Sequence, residues 1–144
     1  MKKFSKILFS FITTALLVAG CNSKDIQNVN IEEIVLQEAK KITSEQGYTL
    51  KSETLTGSDI MIGDSEVFTF IKEASVDGGY SKDNFNSITE DRKIVGYELE
   101  EKSKIDEPIM LCMVIDKGKV IGAYLEYSGY MPGFEPINST ENFK

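Results

Sequence analysis

Two apolar runs, Ile109 to Ile115 and Val120 to Tyr127, flank the tetrapeptide Asp116-Lys117-Gly118-Lys119. Each run has the length of a strand. Between them, Gly118 can take a positive φ without steric cost, so the pattern predicts a tight antiparallel hairpin. A chain that commits this much apolar sequence to one strand pair must build its core on a sheet. The segment Ile94 to Glu101 reads as a third strand, joined to the hairpin by the charged connection Ser103 to Glu107.

The remaining elements follow from spacing and stop signals. Ile31, Ile34, Val35, Ala39 and Ile42 fall at helical intervals and predict a helix over Asn30 to Gln46. Asn30 and Glu33 have capping-box spacing, and Gly47 is a natural stop. Tyr48 to Thr56 is rich in β-formers and predicts a strand. Gly57-Ser58 then turns the chain into a short strand, Asp59 to Ile62. Asp64 or Ser65 can cap a second helix, with Val67, Phe68, Ile71 and Ala74 as its apolar stripe and Gly78-Gly79 at its end. A strand over Val67 to Ile71 is the competing reading, because β-branched and aromatic residues dominate there. Tyr80 to Asp91 reads as a polar loop. The tail from Gly129 contains Pro132, Gly133 and Pro136, which excludes a long regular element. Together these predict a single α+β domain over residues 30–137. Two helices cover one face of a mainly antiparallel sheet of roughly five strands, and residues 138–144 form a flexible tail.

The N-terminus carries a different signal. Lys2, Lys3 and Lys6 precede an apolar stretch from Ile7 to Leu17 that ends in Val18-Ala19-Gly20-Cys21. This is the order of a secretory signal, and the stretch is short for a membrane span, which needs about 20 apolar residues. Val18-Ala19-Gly20-Cys21 resembles the lipobox of bacterial lipoproteins. The resemblance implies removal of residues 1–20, a diacylglyceryl thioether on Cys21, and an extracytoplasmic domain held to the cell membrane. Asn22 to Val29 then reads as the linker. Cleavage takes three lysines and no acid, so the formal charge moves from −7 to −10. An anionic bilayer repels such a domain, which favours a tether above the surface. The Lys-, Ile- and Asn-rich composition suits a Gram-positive host.

Composition narrows the chemistry. The 144 residues include no His, no Trp, one arginine (Arg92) and two cysteines. Without His there is no His-based triad and no His-ligated metal site. The acidic balance is wrong for nucleic-acid binding. With Cys21 lipidated, Cys112 has no disulfide partner, and its apolar strand supplies no base to activate the thiol. No serine has a lysine three residues on.

Three stretches of the mature chain resemble the DUF4830 family of bacterial proteins, whose function is unknown. They are Gln46-Gly47-Tyr48-Thr49-Leu50, then Gly79-Tyr80 with Val95-Gly96-Tyr97-Glu98-Leu99, and finally Lys119-Val120-Ile121-Gly122-Ala123 with Ser128-Gly129-Tyr130-Met131-Pro132-Gly133-Phe134. The family pattern has an acid where Ser128 stands, a His where Pro132 stands and a second Gly where Ala123 stands. The resemblance implies the fold and transfers no activity.

The candidate binding residues are Tyr127, Tyr130 and Phe134, in an aromatic, glycine-rich stretch that also holds Tyr124. Aromatic faces offer large contact area at low entropy cost, which suits a sugar ring, a peptide or a protein surface. The same residues can instead fold back and cap the core. The Asp- and Asn-rich loop Asp77 to Asn86 invites comparison with a calcium loop, but lacks EF-hand spacing and a closing Glu. No catalytic residue, metal ligand or cofactor is nominated. The functional expectation is a ligand- or protein-binding lipoprotein rather than an enzyme. The alternatives are a small carboxylate-dependent envelope hydrolase and a modulator of a larger envelope complex. Its partners would be the membrane, through Cys21, and an envelope protein or small ligand.

Overall fold

The computed structural model of the chain describes residues 23–56, 65–87, 92–129 and 133–139. In chain order the elements are α1 (Ser23–Gln46), α2 (Glu66–Asp77), a 3-10 turn (Lys82–Phe85), β1 (Lys93–Lys102), β2 (Pro108–Asp116), β3 (Lys119–Tyr127) and β4 (Phe134–Glu135). The four strands form one antiparallel sheet in the order β1-β2-β3-β4.

The hairpin forms where the sequence places it. Lys117 (φ 49°) and Gly118 (φ 73°) both have positive φ, the signature of a type I′ turn whose twist matches the paired strands. Past the turn, Val114 pairs with Gly122 and Ile115 with Val120, so Ile121 is an extra residue on β3. This bulge leaves the Ile121 carbonyl outside the ladder, and Asn84 Nδ2 donates to it at 2.9 Å.

The helices flank opposite faces of the sheet, which corrects the expectation of one covered face. Val35, Ala39 and Ile42 of α1 pack on Val95, Tyr97, Leu111, Met113, Ala123 and Leu125. Phe68, Ile71 and Ala74 of α2, with Phe85, pack on Ile94, Cys112, Val114 and Tyr124. The reason lies in β2, where every residue from Leu111 to Asp116 is buried. An apolar strand without polar alternation needs cover on both sides.

Among the described residues the sheet has four strands, where about five were expected over the whole domain. The segment expected as a strand over Tyr48 to Thr56 follows the open edge of β1 but forms only one bridge, Leu50 to Leu99. Lys51 N donates to Glu98 O, Glu100 N to Thr49 O, and Thr56 N to Gly96 O. Between these bonds, Thr54 N turns back to Ser52 Oγ at 3.0 Å, a local bond that competes with ladder pairing. The expected strand Asp59 to Ile62 lies outside the described residues.

Helix ends follow local chemistry. Ser65 caps α2, its Oγ accepting from Phe68 N at 3.2 Å. At the end of α1, Gly47 takes φ 77° and Tyr48 N bonds Thr43 O at 2.9 Å, a Schellman closure. The start of α1 is a correction: the helix begins at Ser23, so residues 23–29 are helical rather than linker and Asn30 is internal. The expected polar loop contains the 3-10 turn, whose Phe85 is buried. At the tail, Ile137 is buried, and Tyr48 Oη bonds Ile137 O (2.7 Å) and Ser139 O (3.0 Å). Residues 138–139, expected to be frayed, are held there.

Candidate functional site

The aromatic stretch divides between the two faces of the sheet. Successive strand residues point to opposite sides. Tyr127 belongs to the α1-side core and is 3% exposed. Phe134 lies half-buried on the α2 side, its ring edge-on to Tyr124 at 5.6 Å and 76°. Tyr130 lies outside the described residues. Tyr127 and Phe134 are therefore not brought together, and neither contributes to an exposed aromatic patch. Between them they cap both cores.

Tyr124 and Cys112 are neighbours in the register and share the α2-side core. Burial pushes the Cys112 thiol well above its ordinary range, and the Glu126 carboxylate, 3.4 Å from Sγ, pushes it further. Tyr124 is raised in the same way, mainly by burial. Neither group is shifted toward its ionised form.

A groove of about 760 Å³ opens between α2 and the 3-10 turn. The α2 side supplies Phe68, Thr69, Lys72, Glu73, Val76 and Asp77; the opposite wall is Lys82, Phe85 and Asn86. The i, i+4 rhythm of α2 explains its share, because Thr69, Glu73 and Asp77 fall on one stripe beside the core-facing Phe68 and Ile71. The opposite wall is held by its own bonds: Ser81 Oγ accepts from Asp83 N, and Asn86 Nδ2 donates to Asp83 Oδ1. The rings of Phe68 and Phe85 meet at 6.0 Å and 55°. Behind Phe68 sits the Arg92 guanidinium, 4.5 Å from the ring centroid and 1% exposed. Its Nη2 donates to Ser87 O at 2.5 Å, while Nε and Nη1 have no hydrogen-bond partner among the described residues.

The arrangement suits reversible binding: two aromatic residues, two cations and two carboxylates around an open cleft. Glu73 and Asp77 are both exposed to water, so the groove buries neither. No group of three or more acids and cysteines among the described residues could hold a metal ion. Sequence reasoning missed the groove. The sequence marks this region only as a polar loop, Asp77 to Asn86, of which Lys82, Phe85 and Asn86 form the wall opposite α2.

No protein-family model, curated protein or solved structure matches this chain.

Proposed function

We propose that the chain is a bacterial lipoprotein, anchored through Cys21 on the extracytoplasmic face of the cell membrane, whose α+β domain is a binding module for a small ligand or envelope protein. One observation carries the anchor: Val18-Ala19-Gly20-Cys21 stands directly after a lysine-led apolar stretch. The structure is compatible with it, since Cys112 is buried in the sheet and leaves Cys21 for modification. Among the described residues no helix is long and apolar enough to cross a membrane. The groove between α2 and the 3-10 turn supports the binding role. The likeness to the DUF4830 family belongs to this proposal and adds a fold without an activity.

The test is intact mass spectrometry of the full chain made in a bacterial host. The expected product lacks residues 1–20 and carries a diacylglyceryl group on Cys21, and Cys21→Ala abolishes both changes. A full-length chain, or a cleaved chain with an unmodified thiol, refutes the anchor. Native mass spectrometry after mixing with envelope extract then tests binding; a bound small molecule displaced by Phe85→Ala assigns it to the groove.

One observation favours a second reading, the carboxylate-dependent hydrolase: Glu73 and Asp77 both line the groove. It predicts turnover of an envelope polymer that Glu73→Gln and Asp77→Asn abolish. Unchanged polymer after incubation with the native chain ends it.

A further inference from the structure

The direction of α1 decides which end of the domain faces the membrane. Early in the helix, Ile31 lies beside the hairpin tip: a Cβ on Gly118 would stand 4.0 Å from Ile31 Cγ1. The helix ends at the opposite edge of the sheet, where Thr49 O bonds Glu100 N, close to the β1–β2 connection. So α1 runs along the strands from the hairpin tip toward residues 103–107. Its first turns, Ser23 to Ile31, add about 12 Å at ~1.5 Å per residue. Cys21 is two residues further, or about 7 Å at most. A lipid on Cys21 is therefore within roughly 25 Å of the hairpin tip. The far end is a further nine-residue strand away, about 30 Å at ~3.4 Å per residue.

Charge reinforces this direction. The tip presents Lys117 and Lys119, both exposed, with exposed Lys93 at the start of β1 opposite Ile115. Among the described residues the acids at this end are Asp116, which is buried, exposed Glu32 and Glu33 next to Ile31, and Asp25, which lies with Lys24 in the first turn of α1. The far end carries Glu100, Glu101, Asp106 and Glu107 against Lys102 and Lys104. The domain is acidic as a whole, but the turn itself exposes two lysines while its one acid, Asp116, is buried.

We infer that the domain stands with the β2–β3 tip against the bilayer, Lys117 and Lys119 meeting anionic headgroups, and the β1–β2 connection facing outward. This rests on the Cys21 anchor of the proposed function and replaces uniform repulsion from the surface with one preferred orientation. Ile105, 53% exposed and beside the Gly129 turn, is then presented away from the membrane.

The experiment separates orientation from biological lipidation. The described core runs from Val35 to Ile137, so the chain from Cys21 onward retains all of it. Buried Cys112 leaves Cys21 as the coupling site for a maleimide lipid in nanodiscs. The discs hold phosphatidylcholine, with or without phosphatidylglycerol, and a headgroup spin label. The expected result is amide broadening several-fold greater at residues 116–119 than at 104–107, increased by phosphatidylglycerol. Lys117→Glu with Lys119→Glu removes that increase. Equal broadening at both ends, or greater broadening at 104–107, overturns the orientation. Broadening at the tip that ignores phosphatidylglycerol, or survives the double substitution, overturns the headgroup contact. Both outcomes are independent of whether the host lipidates Cys21, which the intact-mass experiment decides.

Discussion

Gly122→Ala tests how tightly α2 sits on the sheet. An added Cβ at Gly122 would lie 2.6 Å from Phe85 Cζ, 2.8 Å from Ser75 Oγ and 3.0 Å from Ser75 Cβ. Carbon atoms at rest stand about 3.5–4.0 Å apart, so the methyl overlaps the ring tip by about 1 Å and the serine by about half that. Neither neighbour has an easy retreat. Phe85 is buried against Phe68, and Ser75 is fully buried in α2. Overpacking of this kind costs about 1–3 kcal/mol, while replacing a strand glycine returns roughly 0.5–1 kcal/mol through the unfolded chain. The expected net loss is about 1–2 kcal/mol, read as a lower urea midpoint with an unchanged slope. A double-mutant cycle with Phe85→Leu, which withdraws the ring tip, should show coupling of at least about 0.5 kcal/mol. A Gly122→Ala chain as stable as the parent, or strictly additive effects, would refute the close approach of α2 and the 3-10 turn to β3.

Three further outcomes follow from individual groups. Ser75 Oγ is buried with no hydrogen-bond partner among the described residues, so Ser75→Ala should stabilise the fold by about 1 kcal/mol in the same urea titration. Burial, with Glu101 and Glu135 nearby, pushes Tyr48 up to about 12. A raised folded value means the unfolded chain releases this proton first. The contribution is therefore complete below the unfolded value near 10 and is lost as pH rises through about 12. Tyr48→Phe should lose stability at neutral pH with its bonds to Ile137 and Ser139, yet decline less than the parent between these two values in pH-dependent melts. Finally, in the chain from Cys21 onward, a thiol reagent should titrate one cysteine in the folded state and two in urea; rapid reaction of both when folded would contradict the burial of Cys112.

The stretch Lys119 to Ala123 shows what sequence can and cannot explain. Its glycine was visible, but the reason was not. Gly122 is required because Ser75 and Phe85 press on it from the α2 side, while Ala123 next to it faces the α1-side core. The aromatic candidates show the same limit. Tyr127 and Phe134 are seven residues apart in the chain, but β3 and β4 send them to opposite faces, a matter of strand register.

By itself, the sequence determined the local devices: a hairpin turning about Gly118, a helix cap at Asp64 or Ser65, the glycine stop after α1, and a second helix favoured over its strand competitor. Each is settled by bonds or dihedrals spanning a few residues, so neighbours in the chain suffice. The tertiary structure decided the rest. It placed the helices on opposite faces, reduced Tyr48 to Thr56 to a single bridge, opened the groove beside α2, and pointed the start of α1 past the hairpin tip. Those outcomes depend on which apolar face finds which partner across long stretches of chain. An apolar residue states that it must be buried, and it does not state against what.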